Sequence, residues 1–275
     1  MNAEPILVAK GVQRSFGGVR AVDVDEFAVH PGSIVALIGP NGAGKTTFFN
    51  VLTGFERADH GEWRFEGHDL TGSTAYAVAR KGMVRTFQSA RVFPLLSVLE
   101  NVVLAAPHQR GERIFSSLLP WRWKAQEAEL VERARDLVEW VGLGPLVDDY
   151  AGTLSGGQRK LLELARAVMA APRLLMLDEP MAGVNPALRE TLLERIRELP
   201  REGITVLFIE HDMDVVSAIS DVVVCMAQGR IIAVGSPSEV AANEEVVHAY
   251  LGGSSDDLRN IERRDTGRDT GMEES

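Results

Sequence analysis

The sequence has few of the features that mark secreted, disulfide-bonded or membrane-spanning proteins. Its 275 residues include one cysteine, Cys225, which excludes an internal disulfide and a metal cluster built on several cysteines. The longest apolar run, Val222–Ala227, is much shorter than the roughly 18 residues that a membrane-spanning helix needs. The first ten residues lack the basic head and apolar stretch of a signal peptide. Together these absences predict a cytosolic protein.

The sequence is also short of positive charge. Acidic residues outnumber lysine and arginine by 39 to 29, which gives a net charge of −10. This balance argues against a protein whose main task is to bind nucleic acid through phosphate contacts, but it leaves room for a local basic site. The C-terminal end is rich in charge and nearly without apolar residues, with seven acidic and four basic residues in 254–275. We therefore predict a disordered, charged tail over residues 253–275.

The N-terminal quarter of the chain has the periodicity of β-strands. Ala21–Val29 alternates apolar and polar residues, and Gly61–Leu70 does so between glycines, which predicts an edge strand or a hairpin. Ser33–Ile38 is instead a short apolar run, typical of a strand that is buried on both faces. The N-terminal region is therefore predicted to be mainly β-structure.

Helical patterns dominate the rest of the chain. They cover Arg122–Val141, Ser155–Ala170 and Pro186–Leu199, and short apolar runs stand at Leu174–Leu177 and Ile204–Ile209. Strands that alternate with helices favour a mainly parallel sheet covered by helices on both faces, which is an α/β architecture.

The most specific local motif is Gly39–Thr46, a G-x-x-x-x-G-K-[ST] sequence that directly follows an apolar strand. Its glycines let several N–H groups point at one phosphate, and the N-terminus of the next helix adds partial positive charge. Lys45 is expected to reach the β- and γ-phosphates, and the Thr46 hydroxyl to bind Mg²⁺. Kinases, GTPases, helicases and transporters all carry this motif. The expected nucleotide-binding residues are Gly39, Asn41, Gly42, Ala43, Gly44, Lys45, Thr46 and Thr47.

A second motif, Leu154–Gln158, reads Leu-Ser-Gly-Gly-Gln and ends 20 residues before Asp178. Ser155 is expected to cap a helix, and the glycines after it leave backbone N–H groups bare, which predicts an anion site. Together with Gly39–Thr46, which we call the phosphate loop, this pentapeptide resembles the nucleotide-binding domains of ABC ATPases. The resemblance implies that Ser155 and Gly157 complete the ATP site of a facing subunit, so that two chains enclose two ATP molecules.

The same resemblance implies a fold, which is α/β with a P-loop NTPase (RecA-like) core. It places an antiparallel β subdomain around residues 4–70 and an inserted α-helical subdomain at about 89–165. The ABC ATPase domain is then expected to span residues 4–252.

The apolar run 174–177 ends in two carboxylates, Asp178 and Glu179. Asp178 is expected to hold Mg²⁺, directly or through water. Glu179 is expected to polarise the attacking water as a general base.

Three further residues gain a role through the resemblance. Gln88 matches the glutamine of the Q-loop, which reaches Mg²⁺ and the water. His211 matches the switch histidine, which contacts the γ-phosphate and orients the water. Phe16 stands where the family places an aromatic ring that stacks on adenine. In one departure, Asn185 stands where many members have aspartate, which puts in doubt the electrostatic part of a contact across the dimer.

Within the ABC ATPases, several local segments look like the ATPases of high-affinity branched-chain amino acid importers, and most like the longer of their two ATPases. They include Thr86–Phe93, Ser97–Leu104, Ala182–Pro186, Ile209–Met213 and Val247–Gly252. An additional segment at about 105–124 contains aromatic and basic residues that suit contact with a membrane subunit or lipid head groups, or packing on its own helical subdomain. Urea and short-chain amide systems share the pattern, so the solute stays open.

The resemblance implies a peripheral subunit at the cytoplasmic face of the cell membrane. Its expected partners are two membrane permease subunits, a paralogous ATPase or a second copy of the chain, and indirectly an extracytoplasmic solute-binding protein. Its expected ligands are ATP and Mg²⁺. The alternatives are the ATPase of an exporter and a soluble ATPase that serves a cytosolic assembly scaffold.

Overall fold

The computed structural model describes residues 4–87, 92–107 and 120–251, and only the backbone of 120–125. The prediction of a disordered tail at 253–275 lies outside these residues, as do Gln88 and most of the segment 105–124. None of the helices that the structure describes is long and apolar enough to cross a membrane.

Within the described residues, ten strands form two sheets. The first is antiparallel, in the order β2-β1-β4-β5, and the second has the order β10-β9-β3-β8-β7-β6, in which only β10 runs antiparallel to its neighbour. The strands are β1 Leu7–Phe16, β2 Val19–Val29, β3 Ile34–Ile38, β4 His60–Phe65, β5 His68–Asp69, β6 Met83–Arg85, β7 Leu174–Asp178, β8 Thr205–Ile209, β9 Val222–Ala227 and β10 Arg230–Gly235.

The helices lie mostly in the second half of the described chain, as the periodicity predicts. The described helices are α1 Lys45–Leu52, α2 Ala75–Arg80, α3 Val98–Val103, α4 Pro120–Trp140, α5 Gly156–Met169, α6 Pro186–Glu198, α7 Met213–Ile219, α8 Pro237–Ala241 and α9 Glu244–Leu251. The three helices predicted from periodicity correspond to α4, α5 and α6, and Gly61–Leu70 forms the hairpin β4–β5 at the edge of the antiparallel sheet.

The central parallel sheet separates two hydrophobic cores. All five residues of β3 are buried, and successive side chains enter opposite cores because side chains alternate along a strand. Val35 and Leu37 pack on the side of α1 and the antiparallel sheet, whereas Ala36 and Ile38 pack on the side of α5. This double burial explains why the sequence of β3 is a continuous apolar run. The observed architecture confirms the predicted α/β P-loop fold.

Candidate functional site

The phosphate loop connects the buried end of β3 to the N-terminus of α1. Gly39, Gly42 and Gly44 all have positive φ angles, of 144°, 80° and 99°, which few other residues adopt without strain. The loop also lies close to the sheet. A Cβ atom on Gly39 would stand 2.0 Å from the carbonyl oxygen of Met226, and one on Gly44 would stand 2.1 Å from that of Ala21. These two glycines are therefore required by close backbone packing as well as by conformation.

Lys45 is buried at the first position of α1, with 6% of its surface exposed. Its ammonium group donates to the carbonyl oxygens of Gly39 at 2.6 Å and Pro40 at 3.0 Å. Thr46 follows at the exposed side of the same turn. The N-cap is Gly44, which has no side chain to accept the N–H groups of the first turn. A helix end of this kind suits an anion.

Asp178 ends β7 and is held by a buried arginine. The Arg85 guanidinium donates through Nη2 to Asp178 Oδ2 at 2.8 Å, and the two side chains are only 4% and 7% exposed. Arg85 also donates through Nη1 to Asn50 Oδ1 at 2.6 Å and to Thr53 Oγ1 at 3.3 Å. Because Asn50 lies in α1 and Thr53 follows it, Arg85 connects the phosphate-loop helix to the carboxylate at the end of β7.

Glu179 and His211 form a hydrogen-bonded pair. His211 Nε2 lies 2.6 Å from Glu179 Oε1, and the side chains are 44% and 20% exposed respectively. Glu179 has a φ angle of 49°, a left-handed conformation that is uncommon for a residue with a side chain. Its backbone N–H donates to the carbonyl oxygen of Ile209 at 3.1 Å. A strained residue with an accessible carboxylate is typical of functional sites.

Glu210 lies between the end of β8 and His211, and it is 5% exposed. Its Oε1 accepts the N–H of Met181 at 3.0 Å, and its Oε2 accepts the N–H of His211 at 3.2 Å. Burial raises the pKa of this carboxyl group, although the two N–H groups and the His211 ring oppose the shift.

The order of the strands brings these groups to one edge of the central sheet. In the register of the sheet, Ile209 of β8 pairs with Leu37 of β3 on one side and with Asp178 of β7 on the other. The phosphate loop, the two carboxylates and His211 therefore leave three adjacent parallel strands at their carboxyl ends. Ligands of open α/β sheets bind at this edge.

The motif Leu154–Gln158 lies at the start of α5. Ser155 and Gln158 form a reciprocal capping box, in which Ser155 Oγ accepts the Gln158 N–H at 3.3 Å and Gln158 Oε1 accepts the Ser155 N–H at 2.8 Å. Ser155 is exposed, whereas Gly157 is buried against α6. A Cβ atom on Gly157 would stand 2.8 Å from Leu188 Cδ1 and 3.4 Å from Val184 Cγ1. The predicted helix cap is confirmed, and Gln158 is part of it.

The loop after the two carboxylates leads into α6. Asn185 is the N-cap of this helix, and its Oδ1 accepts the Leu188 N–H at 3.0 Å. Arg189 in the first turn pairs with Asp212, which itself caps α7. The loop that ends at Asn185 is thus connected to the segment that contains His211.

Phe16 lies at the end of β1 in the antiparallel sheet. Its ring is 46% exposed, and the Arg14 guanidinium stands 4.5 Å from the ring centroid. This position leaves an aromatic face at the surface.

Sequence reasoning identified most of the residues at the sheet edge but missed Arg85 and Glu210. Arg85 is the last residue of β6 and Glu210 directly follows β8, and a charged residue at the end of a strand with buried apolar positions is the signal that could have marked them. Gln88, which was expected to act at this edge, lies outside the described residues; the strand before it, β6, neighbours β7.

Comparison with known proteins agrees with this geometry. Residues 22–182 match the ABC transporter family, and residues 230–256 match the family described as branched-chain amino acid ATP-binding cassette transporter. The chain is 44% identical to a probable branched-chain amino acid transport ATP-binding protein LivG of Archaeoglobus fulgidus, over 92% of this chain and 98% of the relative. It is 41% identical to the high-affinity branched-chain amino acid transport ATP-binding protein BraF of Pseudomonas aeruginosa, over 91% and 99%.

Solved structures give the same result. An ATP-binding cassette of an ABC transporter in its ADP conformation has a TM-score of 0.78 and 38% identity, covering 91% of this chain and all of that one. A nucleotide-free cassette has a TM-score of 0.77 and 38% identity, covering 90% and 98%. The chain belongs to the ABC transporter family, as a nucleotide-binding ATPase subunit that resembles those of branched-chain amino acid transport.

Proposed function

We propose that this chain is the ATPase subunit of an importer for branched-chain amino acids or a related small polar solute, with its chemistry at the carboxyl edge of the central sheet. The observation that carries the proposal is the convergence of Lys45, Asp178, Glu179 and His211 at the ends of three adjacent parallel strands. The relatives whose names state branched-chain amino acid transport support the choice of solute.

The phosphate loop binds the triphosphate. Backbone N–H groups of the loop and of the first turn of α1 face the β-phosphate, and Lys45 exchanges its carbonyl partners for phosphate oxygens. The ring of Phe16 stacks on adenine with its exposed face. The loop residues in this role are Gly39, Asn41, Gly42, Ala43, Gly44, Lys45, Thr46 and Thr47.

The residues at this edge suit Mg²⁺. Mg²⁺ usually takes one or two protein oxygens together with substrate phosphates, and Asp178 and Thr46 supply a carboxylate and a hydroxyl. The described part of the chain contains no group of three or more histidine, cysteine or acidic residues for a metal held by protein alone. When bound, Mg²⁺ offsets the charge that develops on the phosphate oxygens. Gln88 is the further residue proposed to reach it.

Hydrolysis depends on Glu179 as the general base. Its carboxylate accepts a proton from the attacking water, and His211, already 2.6 Å away, fixes the orientation of that carboxylate and faces the γ-phosphate. Gln88 is the residue proposed to orient the water. Each group thus has one task in the attack of water: Glu179 takes the proton, His211 orients the carboxylate of Glu179, and Gln88 orients the water.

The functional unit is a dimer that encloses two ATP molecules. The N-terminus of α5, where Ser155 is exposed and Gly157 is buried against α6, faces the γ-phosphate held by Lys45 of the other subunit. The other subunit is a paralogous ATPase or a second copy of this chain. Closure on ATP and reopening after hydrolysis drive the transport cycle.

Two membrane permease subunits receive this motion at the cytoplasmic face of the cell membrane, and an extracytoplasmic protein delivers the solute. The ATPase domain spans residues 4–252, with a helical subdomain at about 89–165 that contacts the permeases. The proposed contact with the permeases is supported by three large exposed residues of the helical subdomain. These are Phe93, Leu95 and Tyr150, which are 47%, 85% and 63% exposed. Backbone hydrogen bonds place their two loops side by side, as from Ala151 to Leu96 and from Gly152 to Pro94. Exposed apolar clusters mark interaction sites.

Isolation of the complex tests this proposal. A tagged Glu179→Gln chain, purified with ATP from its native membranes in mild detergent, is expected to carry two polytopic membrane proteins and a second ATPase, which mass spectrometry identifies. If a solute-binding protein purifies with them, it is screened for ligands, starting with leucine and urea. Recovery of soluble scaffold proteins alone would leave the ATPase chemistry and overturn the importer assignment.

A further inference from the structure

Glu210 is a buried carboxylate next to the proposed catalytic pair of Glu179 and His211, and it has no part in the proton transfer proposed for that pair. It follows the last residue of β8 and precedes His211, with 5% of its surface exposed. Charged groups are buried at a large cost unless they are hydrogen-bonded, so a buried glutamate needs partners for its oxygens. Both of its oxygens have partners, and both partners are backbone N–H groups of loops that carry catalytic residues.

The two hydrogen bonds connect separate loops. Oε1 accepts the N–H of Met181, two residues after Glu179, and Oε2 accepts the N–H of His211. Each oxygen thus fixes the main chain close to one member of the pair whose side chains lie 2.6 Å apart. Hydrogen bonds to an ionised acceptor are about twice as strong as those between neutral groups.

We propose that Glu210 is a positioning residue, which holds the loops of Glu179 and His211 together through the backbone N–H groups of Met181 and His211. This inference rests on the proposed function of the pair. Through these contacts the carboxylate sets the distance and angle between base and histidine before ATP binds, and it does not touch the substrate.

The conformation of Glu179 makes such support necessary. A residue with a side chain at a φ angle of 49° is strained, and it persists where its surroundings hold it in place. Its own N–H bond to Ile209 is one connection to the end of β8, and Glu210 supplies the second from the next residue along. Arg189 and Asp212 add a third connection beyond His211. Among the charged residues that make these connections, Glu210 is the buried one.

The test compares turnover with nucleotide affinity in Glu210→Ala and Glu210→Gln. Misplacement of a catalytic group by about 1 Å can cost on the order of 100-fold, so we expect Glu210→Ala to lower kcat roughly 10- to 100-fold. The dissociation constant for ATP should stay unchanged, because the phosphate loop is untouched. Glu210→Gln should lose less, because its amide oxygen still accepts one N–H while its NH₂ opposes the other. Should Glu210→Ala fail to fold, the glutamine variant alone decides the question.

A double-mutant cycle separates positioning from general stability. Because Glu210 acts partly through His211, Glu210→Ala should lower kcat by a smaller factor in a His211→Ala background than in the unsubstituted chain. The matched control is Asp221→Asn, which removes a carboxylate that accepts the Ile34 N–H at the opposite end of β3, at 2.8 Å. This control should lower the melting temperature and leave kcat unchanged.

These measurements distinguish an error in the proposed ATPase function from an error in the positioning role of Glu210. If the unsubstituted chain does not hydrolyse ATP, the proposed function is wrong. If it does, and both Glu210 variants keep its kcat, the positioning role is refuted. An equal loss of kcat in Asp221→Asn, or full additivity with His211→Ala, would also overturn it.

Discussion

Replacement of Glu179 by glutamine tests the chemistry of this site most directly. Glutamine has the shape of glutamate, and its amide can keep a hydrogen bond to His211 Nε2, which lies 2.6 Å from Oε1 in the unsubstituted chain. The side chain is 20% exposed and outside both hydrophobic cores, so the substitution leaves the packing intact. What the variant lacks is a group that can accept a proton from water.

The size of the effect follows from that loss. A positioned general base contributes roughly 10²- to 10⁴-fold to rate, which corresponds to about 2.7 to 5.4 kcal/mol of activation free energy. Because the partner histidine is already in hydrogen-bond contact, we expect the loss of kcat in Glu179→Gln to exceed about 100-fold. Binding of ATP should be preserved, since Lys45 and the loop glycines are unchanged.

The assay measures ATP hydrolysis at saturating ATP and nucleotide binding on the same preparation. Glu190→Gln is the matched control, because it removes one carboxylate from an exposed position in α6 and should leave turnover unchanged. Near-normal hydrolysis by Glu179→Gln would remove Glu179 from the role of general base. A loss of ATP binding together with turnover would show instead that the substitution acts on the phosphate site.

Three further changes have defined outcomes. Lys45→Ala should weaken nucleotide binding itself, measured by titration with ATP, and normal binding and hydrolysis would refute the phosphate-loop assignment. Asn185→Asp keeps the helix cap and adds a negative charge at the N-terminus of α6, so urea unfolding should show a gain of about 0.3 to 1 kcal/mol, and a loss would contradict the reasoning. The carboxylate of Glu198 accepts hydrogen bonds from the indole N–H of Trp140 and from Arg195. These bonds, that of Trp140 most of all, lower the pKa of Glu198 below its ordinary value of 4.5. The stability that Glu198 contributes is present above the ordinary pKa and disappears as pH falls through the lower pKa of the folded state. Acid should therefore destabilise the unsubstituted chain more than it destabilises Glu198→Gln. Midpoints of urea unfolding at about pH 7 and pH 3 measure this difference.

Much of the fold was predictable because local patterns and tertiary burial agree. The apolar run of β3 is buried on both faces, and the alternation in Gly61–Leu70 corresponds to the edge hairpin β4–β5. The cap at Ser155 was also predictable, since a serine before a helix satisfies N–H groups that have no partner within the helix.

The contacts of Arg85 and Glu210 could not be predicted from the sequence. Arg85 pairs with Asp178 across 93 residues, and Glu210 accepts the N–H of Met181 across 29. Each pairing depends on the strand order β8-β7-β6, in which a parallel neighbour need not be adjacent in sequence. Sequence motifs identify groups that bind the ligand, whereas these contacts of Arg85 and Glu210 are with residues far away in the sequence.

The position of Asn185 shows which part of a familiar motif the fold requires. Many family members have aspartate here, and asparagine and aspartate are about equally good N-caps. In this chain the amide oxygen caps α6 by accepting the Leu188 N–H at 3.0 Å, so the local structure has no need of the charge. What asparagine gives up is the attraction between a carboxylate and the helix N-terminus, together with that to Arg189 one turn along. The missing charge therefore removes a modest attraction at the start of α6, whereas the amide keeps the ability to donate and accept hydrogen bonds that a contact with the proposed facing subunit would use.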